Sequence, residues 1–260
     1  MAAEFDRGPS QAIASICLRC PGPGKPKAFW TAWGPVFYRG RLDGSARLLG
    51  IASDPGPTER IAHRTLVGDA GQRVQGFLAK LGLTRSYLLV NAFPYALHPS
   101  WGMSADELLA DSEQKTWRNQ FYDAVRPGSV EAIVAFGTNA QMALDMWTHK
   151  PNVPVERVPH PSSRDPAKLL EDWHDAVQRL RLKVTPDSDG NADGPNYGSE
   201  FTEADYAPIP RRDLPFGVPD FLGDDSRGRQ GHPRHNNSVS RPTPDDGHTL
   251  IWTAPDDGAP

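Results

Sequence analysis

Between residues 45 and 184 short apolar runs alternate with longer amphipathic segments. That is the pattern of a parallel sheet covered by helices on both faces. The runs ARLLGIA (46–52), SYLLVN (86–91), EAIVAF (131–136) and VPVERVP (153–159) predict four strands. The stretches between them predict helices over 70–82, over 104–125 with an interruption, over 138–149 and over 165–183. The last opens on Asp165 followed by Pro166, a capping side chain and then a residue pre-set for the first helical turn. The expected fold is a three-layer α/β/α domain around a central, mainly four-stranded parallel sheet. Upstream, FWTAWGPVFYRGRLDGSARLL reads as aromatic packing, a strand and a Leu-Asp-Gly turn, so the first parallel strand is expected to be entered from a hairpin.

The pattern fades after about residue 184. TPDSDGNADGPNYGSE and RGRQGHPRHNNSVSRPTPDD are rich in Pro, Gly, Asp and Asn and offer little to bury, which predicts disorder. DLPFGVPDFLG and HTLIWTAP are apolar islands within it. The expected organisation is one domain over 1–184, with its core at 45–184, and an acidic, largely disordered tail over 185–260. Charge changes the picture at the same boundary. Residues 1–184 hold 22 basic and 18 acidic side chains, a net +4, whereas residues 185–260 hold 6 and 14, a net −8. The mildly basic part suits a polyanion partner, and the acidic tail reads as solvated.

No apolar stretch is long enough to cross a bilayer, and MAAEFDRGPS lacks the basic-then-apolar pattern of a signal peptide. A soluble, cytoplasmic protein is expected. Cys17 and Cys20 form a C-x-x-C without further ligands nearby, too few for a zinc or iron–sulfur site, so reduced thiols are expected.

Ligands of an open parallel sheet bind beyond the carboxyl ends of its strands. The residues there form a set: Ser53, Asp54 and Gly56 in GIASDPGP, Asn91 after the second strand, Gly137 after the third, and His160, Ser162, Ser163 and Arg164 in HPSSRDP after the fourth. Asp-Pro-Gly-Pro alone is an ordinary turn composition. His-Pro-Ser also occurs at His98, but only the copy at His160 follows a strand and precedes a helix start, where amides can meet an anion.

Taken in order, these blocks resemble the uracil-DNA glycosylase superfamily over about residues 46–183. GIASDPGP is similar to its first motif, and LVGDAGQRVQGFL to the V-G-x-A-G-Q segment of its iron–sulfur families. SYLLVNAFPY resembles the strand that ends in the base-reading Asn, and AIVAFGTNAQ the strand and Gly turn that follow. HPSSRDP is similar to the H-P-S-P-R-N-P of the single-strand-selective monofunctional branch. The cluster cysteines of the iron–sulfur families are missing, so no cofactor or metal is implied. Gly56 stands where the best-known branch has a Tyr that excludes thymine, which opens the pocket to other bases. The aromatic that stacks on the flipped base is replaced at Leu66 or Val67, leaving Phe93 or Tyr95 to stack.

The resemblance implies a glycosylase-like fold and a monomer that removes uracil from DNA by base flipping, in base excision repair. By resemblance, Asp54 stabilises the oxocarbenium-like sugar and orients water. His160 donates to uracil O2, Asn91 reads the N3 and O4 edge, and Arg164 fills the vacated stack. Ser162, Ser163 and the amides around Gly56 and Gly137 grip phosphates, and His63 matches an Ala-His pair. Two other readings stand beside this one: a module that binds uracil-containing or abasic DNA without turnover, and an α/β enzyme of free nucleosides or nucleotides. No G-x-G-x-x-G follows the first strand, which argues against a dinucleotide site.

Overall fold

A computed structural model describes residue 6 and residues 8–98 and 104–215. Its centre is a five-stranded sheet in the order β2 (Tyr38–Gly40), β4 (Tyr87–Asn91), β3 (Leu48–Ala52), β6 (Ala132–Phe136), β7 (Val155–Val158). The last four are mutually parallel and β2 runs antiparallel to β4. These four strands are the predicted ones, each shorter by one to three residues at its ends. The hairpin entry is not observed: β2 pairs with β4, because both edges of β3 are taken by β4 and β6. A two-stranded ribbon of β1 (Phe29–Trp30) and β5 (Ala96–Leu97) lies apart from the main sheet.

Strand alternation sorts side chains to two faces. Leu48, Ala52, Tyr87, Leu89, Ala132, Val134 and Phe136 join one core cluster with α3 (Asp69–Lys80) and α7 (Pro166–Arg181). Leu49, Ile51, Leu88, Val90, Ile133 and Ala135 face α1 (Gln11–Leu18), α4 (Ala105–Leu109), α5 (Ser112–Val125) and α6 (Thr138–Asp145). The result is a mixed α/β domain with helices on both faces of a mostly parallel sheet. The short α2 (Pro57–Ala62) follows β3. Among the described residues no helix is long and apolar enough to cross a membrane.

The expected boundary at residue 184 does not mark the end of the packed chain. Residues 185–215 form a strap that crosses α7 and α3 and returns to the N-terminal region, where Asp6 N donates to Leu214 O at 2.9 Å. Tyr197, Phe201 and Tyr206 pack on the first core cluster with Trp173. Ile209 and Leu214 pack on Ala62 and Val67. Gly76 lets the strap approach, since a Cβ there would lie 2.0 Å from Asp205 O.

The acidic residues that suggested a solvated tail instead anchor the strap. Asp187 accepts from the backbone N–H groups of Thr84, Arg85 and Ser86 and from the Ser86 hydroxyl. Asp205 pairs with Lys80 at 2.8 Å and Asp213 with Arg39 at 3.0 Å, all four side chains being buried. A carboxylate leaves water when enough donors replace its hydration, and composition alone does not reveal those donors. The later part of DLPFGVPDFLG and all of HTLIWTAP lie outside the described residues.

Candidate functional site

Among the parallel strands the second and third to occur in the chain, β4 and β6, flank the first, so the chain reverses its winding direction at β3 and β6. A crevice at the carboxyl ends opens at such a switch point. The loop after β3 carries Ser53 and Asp54, and the turn after β6 carries Gly137.

Polar contacts join these loops. Asn139, in the first turn of α6, donates to Ser53 Oγ at 2.9 Å, and Ser53 Oγ donates to Asp54 Oδ1 at 2.7 Å. The other carboxylate oxygen accepts Leu97 N at 2.9 Å, which ties β5 to the loop. Burial raises the Asp54 pKa above the usual carboxylate value, the bonds from Leu97 and Ser53 oppose this, Glu59 adds to it, and Arg60 opposes it. Glu59 itself is buried and accepts from Val67 N and Gly68 N at 2.8 and 2.9 Å.

Gly137 has φ 87°, and a Cβ on it would lie 2.8 Å from His160 Cβ. Only glycine combines this left-handed backbone with so close an approach. The turn therefore brings the loops after β6 and β7 together. His160 Nδ1 accepts Ser162 N at 3.1 Å, which leaves Nε2 as the protonated nitrogen of a neutral ring. Burial pushes its pKa down to about 4, so the ring is neutral near pH 7. Ser163 N donates to His160 O, and Ser163 Oγ accepts Asp165 N. Asp165 accepts Lys168 N and caps α7, as the Asp-Pro pair predicted. Ser162 and Arg164 are exposed and Ser163 is half-buried.

Asn91 ends β4, buried, with Nδ2 donating to Val36 O at 3.1 Å. One amide hydrogen and Oδ1 stay available for a ligand edge. Gly56 caps α2, and a Cβ there would lie 2.6 Å from Glu59 Oε2, so a larger side chain requires Glu59 to move. Leu66 is buried at φ 55° and clusters with Ala52 at the end of β3, whereas Val67 faces Ile209 and Leu214. Leu66 is thus the member of that pair at the strand end. A non-glycine residue at positive φ costs of order 1 kcal/mol and persists where its surroundings hold it.

The other rings have partners within the domain. Phe93 is 3% exposed and packs on Phe29 with ring centres 5.8 Å apart. Tyr95 is half-buried and hydrogen-bonds Cys20. Burial pushes the Cys17 and Cys20 thiols up to about 11 and 12, keeping both protonated and unreactive near neutrality. His63 is exposed and caps α2 in a left-handed conformation, φ 52°.

Several supporting residues escaped the sequence reading. Arg73 on α3 donates through Nη1 to Pro161 O at 2.8 Å and through Nε to the Tyr206 hydroxyl at 3.0 Å. Its guanidinium also lies over Phe201, 4.5 Å from the ring centre. It links the strap to the His160 loop. Trp173 Nε1 braces the same loop through Pro159 O at 3.1 Å. Arg73 directly follows the VGDAGQ block, and its signal is a charged residue within a helix whose positions 71–78 are all buried.

The fold defines an open α/β protein that carries a carboxylate, an amide and an imidazole on the loops at the carboxyl ends of its parallel strands. No model of a known protein family matches the chain, and no curated protein matches it.

Proposed function

We propose that this chain is a monofunctional DNA glycosylase with a uracil-DNA glycosylase-like fold, hydrolysing the bond between uracil and deoxyribose in DNA. The observation that carries the reading is the contact chain Asp54–Ser53–Asn139 and Gly137–His160, which gathers an anion and a neutral N–H donor at one sheet end. Cleavage builds positive charge on the sugar and negative charge on the leaving base. Asp54 lies below the sugar, stabilises the cationic C1′ and orients the water whose oxygen bonds to it; the proton this water sheds passes through Asp54 to solvent, from which the departed uracil anion takes one up. The base leaves with the electron pair of the broken C–N bond, and His160 Nε2–H donates to its O2 as charge develops. A neutral donor suits an anionic leaving group because it need not lose a proton to act.

Asn91 Oδ1 accepts uracil N3–H and its remaining amide hydrogen donates to O4. Such a buried edge rejects bases that leave it unpaired. Arg164, exposed beside the helix start, fills the space of the extruded nucleotide. Ser162, Ser163 and the Gly137 turn hold the flanking phosphates. Asp54, Asn91, Gly137 and His160 act together without a metal in this scheme.

A second reading is favoured by one observation. Both Asp54 oxygens already accept hydrogen bonds and burial raises the carboxyl pKa, which suits a slow or non-cleaving binder of uracil-containing or abasic DNA. Labelled oligonucleotides carrying U·G, U·A, single-stranded U, T·G and hypoxanthine, treated with the protein and then alkali, separate the two. Strand cleavage at uracil supports the glycosylase; a mobility shift without cleavage supports the binder. The absence of both cleavage and shift would sink both readings.

A further inference from the structure

We propose that the rim beside Asp54 is a platform for single-stranded DNA, where Trp33 stacks an unpaired base next to the excised nucleotide and Arg60 holds a phosphate. This rests on the glycosylase reading and extends it to the form of the substrate.

Of the four large apolar side chains exposed among the described residues, two are Trp30 and Trp33, at 45% and 52%. Trp30 is already covered: it stacks on His98 at 4.5 Å and 25°, and the Arg60 guanidinium lies over its ring at 5.9 Å. It forms the floor. Trp33 sits in the turn closed by Gly34 N to Thr31 O, and none of the aromatic pairs or cation contacts among the described residues covers its ring. An open indole face is a sequence-tolerant seat for a base.

Arg60 supplies the charge. Its Nε is buried without a hydrogen-bond partner, and among the described residues no carboxylate lies within ion-pair distance of it. Arg60 as a whole is half-buried, so the part of its guanidinium that is not enclosed is free of an ion pair and can meet a phosphate oxygen.

The platform is fixed to the reacting centre. Trp30 pairs with Ala96 in the ribbon, and the next residue, Leu97, donates its N–H to Asp54. Bases in a duplex stack on one another, so Trp33 has a free partner only in a single strand. A Trp–Arg patch also suits a protein contact; a cation without an ion pair, set beside an exposed indole, favours DNA.

The test is fluorescence anisotropy of the full chain with a labelled oligonucleotide carrying a tetrahydrofuran abasic analogue, single-stranded and as a duplex. Trp33→Ala should weaken single-strand binding about tenfold and duplex binding less than about twofold. Trp33→Phe, which keeps a ring, should restore most of the loss. Arg60→Gln should lower the slope of log affinity against log salt by about 0.7 on the single strand. Wild-type single-strand binding in both Trp33→Ala and Arg60→Gln overturns the proposal and leaves the rim to a protein partner. Trp33-dependent binding by a chain that releases no base keeps the platform and removes the glycosylase reading. Base release with single-strand binding indifferent to Trp33 does the reverse.

Discussion

The two walls of the site are built differently. The Asp54 wall is held by side chains close to it, Ser53, Asn139 and the Leu97 amide. The His160 wall is held from a distance, through Arg73 to the strap and through Trp173 to α7. Burial acts on both walls in the same sense, against charge, raising the Asp54 pKa and lowering that of His160. For the imidazole this is help, because the scheme needs it neutral. For the carboxylate it is a cost, because the scheme needs it ionised. The same loss of hydration thus sets opposite demands on the two polar groups.

The largest effects should come from the groups themselves. Asp54→Asn should lower uracil excision by about 10²–10⁴-fold and His160→Ala by about 10²–10³-fold, read as single-turnover rates with DNA binding retained. An unchanged rate in both removes the site assignment. Next comes the support of the second wall. Arg73→Ala cuts the link between strap and loop, and should lower the melting temperature by about 5–10 °C and excision by about tenfold. A stability loss with excision untouched would make Arg73 purely structural.

The Asp54 wall yields a smaller effect in pH. Protonation of Asp54, whose pKa burial raises above the ordinary carboxylate value, should give the rate an acid limb, and His160 adds a further loss as it gains a proton near pH 4. Glu59→Gln removes a neighbouring negative charge and should move that limb to lower pH; a limb that stays in place contradicts the assignment. The smallest change is expected for Asn139→Ala, a few-fold loss of rate from the severed bond to Ser53, since Ser53 still donates to Asp54.

Stability should follow pH with a sign fixed by the same groups. Burial opposes the charged form of Asp187, but its bonds from Ser86, Arg85 and Thr84 win, and its pKa falls below the ordinary value. The strap should therefore be fully held above about pH 4 and loosen as pH falls through the depressed value. His160, also depressed, adds stability above about pH 6.5 that is lost on the way down to about 4. Protease sensitivity of the 185–215 segment against pH measures the first effect, and Asp187→Asn should flatten it.

The same contrast explains what could be read in advance. The central parallel strands announce themselves because an unbroken apolar run such as Leu48–Ala52 or Ala132–Phe136 is a local signal. The positions of Asp54, Asn91, Gly137 and His160 follow from the strand ends, also a local inference. The β2–β4 pairing depends on which edges remain open in three dimensions, and the strap depends on acceptors such as Asp187 meeting amides about a hundred residues earlier. Arg73, Asn139 and Arg60 acquire their roles only through contacts across the fold. Charge in a sequence tells how much must be compensated, not where the compensation lies.

The most direct test is mass-spectrometric detection of free uracil after incubating a uracil-containing single strand with the wild-type chain and with Asp54→Asn at equal DNA occupancy. The account predicts stoichiometric free base from the wild type and a loss of at least about 10²-fold in the variant. No free base from the wild type, or equal release from both, would contradict it.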